Sequence, residues 1–428
     1  MRTAKTRAQE AVARIRHWVR RRSIIRIAAW VIGAIVALQA IIIAVLSVVV
    51  GSARKRRRPL RGFPHLKLPE IGLNDNELTV FSFGRDLYDA MLAAIDEAKE
   101  SVYLETFIWK GDRAGEQFKE HLIRKAREGV DVYVVFDSFG NLVVPRRFKE
   151  FPPEVHALKY QAIHRAYQAL DPRRYQVDHR KMLIVDGRIG FIGGYNLGSL
   201  YATQWRDTHL RICGPAAADL AQSFVDFWNR NTPKPRHIER HYPRTFDATI
   251  SLLGTDAMRL TFPIRDMYIQ AIDRAEHHIY LTNAYFVPDR TLLDALQEAA
   301  RRGVDVQILL PWTSNHIVAD WLARGYFTEC LSAGIRIFGY RKAMIHAKTC
   351  TIDGQWSTIG TANLDRLSAV GNYEVNVEVY SDDLAHQMEE LFAVDKTNAD
   401  EITLDRWIHR AWYVKLSEVI LAPLRVAM

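Results

Sequence analysis

Two segments of the 428-residue chain carry the same polar pattern, and their residue types could do chemistry together. DHRKMLIVDGRIGFIGGYN covers residues 178–196 and IHAKTCTIDGQWSTIGTAN covers 345–363, and their polar residues align at a constant offset of 167. The matched pairs are His179 and His346, Lys181 and Lys348, Asp186 and Asp353, Gly193 and Gly360, and Asn196 and Asn363. One His-x-Lys-x4-Asp is a weak signal, but two copies in register predict one shared catalytic site.

This set of side chains suits a phosphodiester. Lysine and asparagine donors can hold the non-bridging oxygens, a neutral imidazole can attack phosphorus, and a protonated imidazole can protonate the leaving oxygen. Because these two roles need opposite protonation states, we expect the two histidines to lie in unequal environments. Four potential cations already surround the phosphate and the spacing lacks the pattern of a zinc site, so we predict no metal and no other cofactor.

Two kinds of carboxylate accompany the histidines. Asp186 and Asp353 stand at Asp-Gly turns after strand-like residues, so we include them with the candidate catalytic motif but interpret them mainly as structural. Asp207 and Glu374 each follow the motif asparagine by 11 residues and the histidine by 28. A carboxylate that accepts a hydrogen bond from one imidazole nitrogen selects the tautomer, and Asp207 and Glu374 are our candidates for this task.

The elements that must position these residues also repeat. AIDEAKESVYLETFIW at 94–109 and AIDRAEHHIYLTNAYF at 271–286 each read as a helix end followed by a strand. Each is followed by a helix that a glycine terminates, Gly129 or Gly303, and by an apolar strand. Alternating helices and buried strands predict an α/β fold with a largely parallel sheet.

Two tandem domains related by pseudo-twofold symmetry explain the repeat. We predict them at 77–232 and 246–400, with a junction near Pro233–Arg244 that carries prolines and histidines. An amphipathic C-terminal helix is predicted at 401–428, because apolar and aromatic residues recur there at i, i+4 spacing. This helix either docks onto a bilayer or packs onto the second domain.

The positive charge of the chain is concentrated at its amino terminus. The net charge is +9, but residues 62–428 hold 43 basic and 48 acidic side chains, a net charge of −5. Surfaces that bind nucleic acid are usually basic, so this balance argues against a nucleic-acid partner. A composition of 48% hydrophobic and 25% charged residues excludes disorder as the main state, and three widely spaced cysteines imply no disulfide framework.

An apolar segment separates two basic clusters near the amino terminus. Ile27–Val50 contains Gln39 as its only strongly polar side chain, and a helix of this length reaches about 36 Å, enough to cross a hydrocarbon core of roughly 30 Å. We predict a transmembrane or membrane-embedded helix there, between a basic segment at 1–26 and a basic linker at 51–76. Residues 1–22 read either as a basic helix on an anionic lipid surface or as a solvated tail.

These residues resemble the phospholipase D superfamily, whose signature is a duplicated His-x-Lys-x4-Asp followed by Gly-Ser/Gly-x-Asn. The likeness extends over about residues 75–428, and strings such as YATQWRDTHLRICGPA and GTANLDRLS resemble the bacterial cardiolipin synthases. The resemblance implies tandem phospholipase D-like α-β-α domains and a metal-independent reaction through a phosphatidyl-histidine intermediate. Thr361 stands where serine is common in the family and keeps the hydroxyl group.

The resemblance also implies roles for individual residues. His179 would be the nucleophile, and His346 would act as general acid and then as general base. The phosphate-binding residues would be Lys181, Asn196, Lys348 and Asn363. The aromatic residues beside the motifs either exclude water from the site or belong to the core, and they are Tyr195, Tyr201, Trp205 and Trp356.

The reaction implied by the resemblance joins two molecules of phosphatidylglycerol to give cardiolipin, with release of glycerol. The expected partners are therefore anionic phospholipid and the bacterial cytoplasmic membrane. The alternative is hydrolysis of membrane phospholipids by the same intermediate, which the sequence does not separate from transfer. The oligomeric state, including a homo-oligomer, also stays open.

Overall fold

The structure, a computed structural model, describes residues 27, 29–45, 48, 62–161, 163, 176–245, 247–256, 258–365, 368 and 371–423. The chain forms two compact units. The first contains helix α1 (29–45) and the last helix, α11 (Trp412–Leu421), while the described part of the second extends from 62 to Arg410. The predicted basic segment at 1–26 lies outside the described residues.

Helix α1 is the described part of the predicted membrane segment at 27–50. Within the ranges given above, the structure contains no helix that combines the length and the apolar character needed to cross a membrane.

An eight-stranded sheet organises the first half of the second unit. Its strands are β1 (Ile71–Leu73), β2 (Asn76–Phe81), β3 (Ser101–Thr106), β4 (Asp131–Asp137), β5 (Val155–Tyr160), β6 (Met182–Val185), β7 (Ile189–Gly193) and β9 (His209–Cys213). Their order across the sheet is β1-β2-β9-β7-β6-β3-β4-β5. The short strand β8 (Trp205–Arg206) lies outside this sheet.

A second eight-stranded sheet repeats this arrangement. Its strands are β10 (Ile250–Thr255), β11 (His278–Thr282), β13 (Asp305–Pro311), β14 (Arg336–Tyr340), β16 (Thr349–Ile352), β17 (Trp356–Gly360), β19 (Glu374–Tyr380) and β20 (Ala399–Ile402), in the order β10-β19-β17-β16-β11-β13-β14-β20. The remaining strands form two short pairs, β12 (Phe286–Val287) with β18 (Leu364–Asp365) and β15 (Met344–Ile345) with β8.

Helices flank both sheets. They are α2 (Gly84–Glu97), α3 (Arg113–Arg127), α4 (Ser199–Thr203), α5 (Ala217–Asn231), α6 (Pro263–Arg274), α7 (Arg290–Arg301), α8 (Ile317–Ser332), α9 (Asp382–Lys396) and α10 (Leu404–Ile408). Gly129 and Gly303 follow the ends of α3 and α7 with φ of 92° and 95°, which is the left-handed conformation that ends a helix. Both glycine terminations predicted from the sequence are therefore confirmed.

The prediction of a largely parallel sheet is wrong. Among the strands that the structure describes, two pairs in each sheet are parallel, β3-β4 and β4-β5 in the first and β11-β13 and β13-β14 in the second, and the other pairs are antiparallel. The reason lies in the motif itself, because Asp186 and Gly187 have φ of 52° and 65° and join β6 to β7 in a tight hairpin. Asp353 and Gly354 do the same with φ of 54° and 66°, and a tight hairpin can only join antiparallel strands.

The two halves of the second unit share one hydrophobic core. One face of the first sheet packs under α2 and α3, while the other face packs on α5. The cluster around α5 continues into the second half through Val375 and Val377 of β19 and Leu384 and Met388 of α9. Layers of helix and sheet therefore alternate, and the two halves are fused along their inner faces.

Two predicted boundaries need correction. The predicted linker at 51–76 already contains β1, which pairs with β2, and Leu68 is buried against the same sheet. The predicted helix at 401–428 is interrupted, because β20 ends at Ile402 and a short helix precedes α11. Trp407 of that short helix is buried, and its ring centroid lies 5.1 Å from that of Phe327 in a tilted arrangement, so this part of the tail packs onto the second half.

Candidate active site

Each motif histidine is attached to a strand segment of the opposite half. The backbone N–H of His179 donates to the carbonyl of Tyr373 at 3.0 Å, and that of His346 donates to the carbonyl of Arg206 at 2.7 Å. The adjoining residues form parallel bridges, Asp178 with Tyr373 and β15 with β8. A backbone bridge therefore joins the two halves at each histidine.

The candidate carboxylates are exchanged between the halves. Nδ1 of His179 lies 3.0 Å from both oxygens of Glu374, and Nδ1 of His346 lies 2.6 Å from Oδ2 of Asp207. A carboxylate only accepts hydrogen bonds, so each Nδ1 carries the proton and Nε2 is left to meet a substrate. Each carboxylate residue directly follows the residue whose carbonyl accepts from the backbone of the opposite histidine. One backbone bridge therefore positions both partners of a pair.

The two motif lysines are fully enclosed beside the histidines. Nζ of Lys181 donates to the carbonyl of His179 at 2.5 Å, and Nζ of Lys348 lies 2.9 Å from Nδ1 of His346. Burial lowers the pKa of Lys181 to about 7 and that of Lys348 to about 8. Glu374 opposes this effect at Lys181 and Asp207 opposes it at Lys348, so both lysines stay partly charged near neutral pH.

Both imidazoles are held in the neutral form. Burial lowers the pKa of His179, against the opposing charge of Glu374. Burial and the nearby Lys348 lower the pKa of His346 to about 3. The low pKa of His346 opposes its protonation in the ligand-free site, although His346 is the histidine proposed as the acid.

The carboxylates remain ionised in spite of their burial. Burial raises the pKa of Asp207, but Lys348 and His346 outweigh it and bring it to about 2. Burial also raises the pKa of Glu374, and His179 outweighs it, so the net shift is downward. The hydroxyl of Thr361 donates to Oε2 of Glu374 at 2.6 Å, which gives this family position a direct task in the site.

The two motif asparagines are both buried. Oδ1 of Asn196 accepts from the backbone N–H of Ile108 at 3.1 Å. Asn363 is only 5% exposed, and its Oδ1 has no hydrogen-bond partner among the described residues. An amide oxygen only accepts hydrogen bonds, so a phosphate oxygen would have to be bound by the Nδ2 group of the side chain. Nowhere in the ranges described do three or more His, Cys, Asp or Glu side chains form a group that could hold a metal ion.

Asp186 and Asp353 do not join the histidines. Asp186 accepts from the backbone N–H groups of Lys99, Glu100 and Ser101 at 2.8–2.9 Å, and Asp353 accepts from the equivalent amides of Glu276, His277 and His278 at 2.7–2.9 Å. Their place in the catalytic set is therefore corrected. Both aspartates tie the motif hairpin to the start of the neighbouring strand, as the Asp-Gly turn had suggested.

Three aromatic side chains contact the histidines, and sequence reasoning singled out only one. Phe107 meets His179 edge-on with ring centroids 4.9 Å apart, and Trp205 and Tyr285 lie 5.1 Å and 6.2 Å from His346. Phe107 and Tyr285 stand just past the carboxyl ends of β3 and β11, inside the repeated strings, and that position was the available signal. Tyr195, Tyr201 and Trp356 are buried in the cores.

A buried charged network supports His179 from behind. Arg180 forms ion pairs with Glu105 and with Asp178, and its guanidinium stacks 4.3 Å from the ring of Phe227. The backbone N–H of Asp178 donates to Oδ2 of Asp137 at 2.9 Å. The residues on both sides of His179 are therefore anchored, which limits the positions that the imidazole can take.

Comparison with solved structures agrees with this fold. The structure of a phosphatidylserine synthase from Haemophilus influenzae matches with a TM-score of 0.60 at 15% sequence identity, covering 84% of this chain and 95% of that chain. At this identity the likeness defines the fold class alone, a tandem arrangement of two mixed α/β halves.

Comparison of sequences gives the family. The family model described as "Cardiolipin synthase, PLD-like domain" matches twice, at residues 91–228 and 268–396. The major cardiolipin synthase of Bacillus subtilis is 31% identical over 359 residues, which are 81% of this chain and 74% of that protein. A cardiolipin synthase of Clostridium perfringens is 30% identical over 400 residues, 83% of this chain and 82% of that protein. The chain belongs to the cardiolipin synthase family with phospholipase D-like domains.

Proposed function

We propose that this protein is a cardiolipin synthase that transfers a phosphatidyl group from one phosphatidylglycerol to another and releases glycerol. The observation that carries the proposal is the exchanged pair of histidine and carboxylate at each motif, His179 with Glu374 and His346 with Asp207. Two oriented imidazoles beside two buried lysines form a site for a phosphodiester and its two-step displacement. Membership in the cardiolipin synthase family supports the choice of lipid.

In the first step, Nε2 of His179 attacks phosphorus, and the bond from phosphorus to the glycerol oxygen breaks. His346 gives its proton to that oxygen, so glycerol leaves neutral and a phosphatidyl-histidine remains. The anionic phosphodiester would raise the pKa of His346, which is about 3 without ligand, and Asp207 at 2.6 Å would stabilise the imidazolium. Lys181, Lys348, Asn196 and Asn363 bind the non-bridging oxygens.

In the second step, a hydroxyl of another phosphatidylglycerol gives its proton to His346. The new bond from oxygen to phosphorus forms as the bond from phosphorus to nitrogen breaks, and the product is cardiolipin. Water would give phosphatidic acid instead, so the outcome depends on exclusion of water. The aromatic rings of Phe107 and Trp205 against the two histidines support such exclusion.

The deciding experiment uses the full chain in detergent micelles with phosphatidylglycerol labelled in its glycerol headgroup and in its acyl chains. We expect equal amounts of cardiolipin and free glycerol. Phosphatidic acid without cardiolipin would assign the site to hydrolysis, and no conversion of any phospholipid would overturn the enzymatic proposal. A double variant, His179→Ala with His346→Ala, is the control for contaminating activity.

We also propose that the protein works at the bacterial cytoplasmic membrane, held there by its amino-terminal region. Residues 1–61 hold 15 basic side chains against one acidic side chain, around the apolar segment at 27–50. Basic residues beside an apolar segment favour an anionic lipid surface. Such an anchor would keep the site at the surface that contains its substrate.

A further inference from the structure

We propose that α1 and α11, from opposite ends of the chain, form one lipid-embedded anchor, with acyl chains of an anionic bilayer covering the outward faces of both helices. The inference rests on the proposed function, since the membrane is then also the source of substrate. It adds a second membrane element, the C-terminal helix, which the family match at residues 91–228 and 268–396 does not include.

The surface of α1 is apolar and exposed. Trp30, Ile32 and Ile41 are 81%, 61% and 60% exposed, and residues 29–45 contain no charged side chain. A helix on the surface of a soluble protein would turn a polar face outward. The outward side of α1 therefore fits a hydrocarbon environment.

The single strongly polar side chain of α1 is paired with α11. Gln39 is only 7% exposed, and its Nε2 donates to the carbonyl of Ile420 at 3.0 Å. Ile420 lies in the last turn of α11, where carbonyl groups have no partner within the helix. In hydrocarbon, an unpaired amide and an unpaired carbonyl are both costly, so the hydrogen bond removes two obstacles to burial in lipid.

Helix α11 adds its own apolar face to the anchor. Trp412, Leu416 and Val419 are 74%, 49% and 69% exposed, and their i, i+4, i+7 spacing puts them on one side of the helix. Leu421 on another side is fully buried. The C-terminal helix thus has an inner face and an outward apolar face.

The charge of the amino-terminal region favours a bilayer, and not a second copy of the chain, as the cover of the apolar faces of α1 and α11. Residues 1–61 carry 15 basic side chains and one acidic side chain, so two copies that met through α1 would bring like charges together. An anionic lipid surface is attracted by the same charges.

The test places a polarity-sensitive dye on Leu416→Cys in the full chain with Cys213→Ser, because Cys330 and Cys350 are buried. The protein is bound to phosphatidylglycerol vesicles with nitroxide-labelled acyl chains. We expect quenching at least about fivefold stronger than for a dye at the exposed His156→Cys, the matched control. Adding Gln39→Leu keeps α1 apolar and should reduce quenching at position 416 while the protein still floats with the vesicles.

Two results would overturn the anchor. The first is a vesicle-bound protein whose dye at position 416 is quenched no more than the control. The second is a stable dimer in detergent in which the labelled side chain is shielded with or without lipid, which assigns the surface to a second copy. Cardiolipin formation in mixed micelles, measured on the same variants, reports on the proposed function separately, because it does not need the anchor.

A second, independent observation concerns the residue before each carboxylate. Arg206 precedes Asp207 and Tyr373 precedes Glu374, and both carbonyls hold a motif histidine. The side chains differ, because Tyr373 packs on aromatic rings whereas Arg206 forms a two-pronged ion pair with Asp395 of α9 at 2.9 and 2.8 Å. Arg206 and Asp395 are 1% and 2% exposed.

We infer that Arg206 and Asp395 are positioning residues for the pair formed by Asp207 and His346. Nη1 of Arg206 donates to the carbonyl of Asp207 and to Oγ1 of Thr208 at 3.0 Å, so the guanidinium fixes the backbone on both sides of the Asp207 side chain. On the proposed function, this pair governs proton transfer by His346 and not the attack by His179.

The test compares two substrates in the Asp395→Asn variant, which keeps the size of the side chain. With a phosphatidyl p-nitrophenyl ester the first step needs no general acid, so the burst of p-nitrophenol should stay within about threefold of the parent rate. Steady turnover of phosphatidylglycerol should fall about 10²-fold. Arg180→Lys, in the equally buried pair beside His179, is the matched control and should slow the burst itself.

If Asp395→Asn fails to fold, Thr208→Val removes only one contact of Arg206 and should change the same ratio in the same direction by a smaller factor. A burst slowed as much as steady turnover, in a variant with a native unfolding temperature, would overturn the inference. Failure of every variant and of the parent to release p-nitrophenol would instead contradict the proposed function.

Discussion

The carboxylate partner of each motif histidine comes from the opposite half. His179 depends on Glu374 and His346 depends on Asp207, each across the boundary between the repeats. Selection of a tautomer by a carboxylate is a general requirement for an imidazole that attacks through one nitrogen. A single repeat taken alone would therefore have a histidine without its carboxylate partner.

Replacement of His179 by Ala should lower the rate of phosphatidyl transfer at least ~10³-fold, because the proposed nucleophile is lost. The measurement is labelled cardiolipin formed per enzyme, together with trapping of the covalent phosphatidyl-enzyme. The exposed His156→Ala should match the parent. A covalent adduct that persists in His179→Ala would reverse the roles proposed for the two histidines.

The lysines predict the pH dependence. Their charged forms bind phosphate, and burial lowers the pKa of Lys181 to about 7 and of Lys348 to about 8, so kcat/KM should fall as pH rises through about 7 to 8. On the acid side, His179 should stay neutral at pH values below 6.5, the usual pKa of a histidine, because burial lowers its pKa.

For kcat the alkaline fall should lie at higher pH, because bound phosphate raises the lysine pKa. Both profiles can be measured with a soluble phosphodiester over about pH 5 to 10. A kcat/KM that keeps rising to the alkaline end would contradict the assignment of the lysines as charged phosphate ligands.

Among the elements, the motif hairpins separate structural from chemical residues. Asp186→Ala leaves three backbone amides without their acceptor and puts Ala at a φ of 52°. We expect a loss of about 2–4 kcal/mol in the free energy of unfolding, measured by chemical denaturation. The rate per folded molecule should change less than about threefold, since the carboxylate holds a turn. The exposed Glu154→Ala serves as control, and a normal unfolding curve with lost activity would restore Asp186 to the catalytic set.

Gly194, in the turn that follows β7, lies against the carboxylate of Asp207. A Cβ at Gly194 would overlap the carboxylate of Asp207, so Gly194→Ala should displace the partner of His346 and lower activity about 10²-fold or more. Gly254→Ala is the matched control, because its Cβ would come no closer than 3.8 Å to another residue. Full activity in Gly194→Ala would indicate that Asp207 tolerates displacement.

The two halves are joined by more than the site. The core around α5 continues into β19 and α9. Unfolding of either sheet would therefore expose the buried apolar side chains of the other sheet to water. We expect residues 62–410 to unfold in one cooperative transition, measured by calorimetry and by hydrogen exchange in both sheets. Two separate transitions, or early exchange confined to one sheet, would contradict a shared core.

The repeats and the motif spacing allowed the single site, its turns and the ends of two helices to be predicted from the sequence. Two copies of one pattern at an offset of 167 pointed to one site, and Asp-Gly and the helix-ending glycines have local signatures because their backbone angles suit few residues. Strand direction was predicted wrongly, because a buried apolar run suits parallel and antiparallel strands alike, whereas the Asp-Gly turn joins its two strands in an antiparallel hairpin.

The pairing of each histidine with the carboxylate of the other half could not be predicted from the sequence. Periodicity marks which side chains point to a core, but nothing local in WRD or NYE tells whether the acid serves its own histidine or that of the other repeat. The same holds for Arg206 with Asp395 and for Gln39 with Ile420, which are 189 and 381 residues apart. The sequence shows which residue types are present and which local turns they form. Contacts between distant segments depend on how the two sheets pack, because packing is a property of the folded chain as a whole.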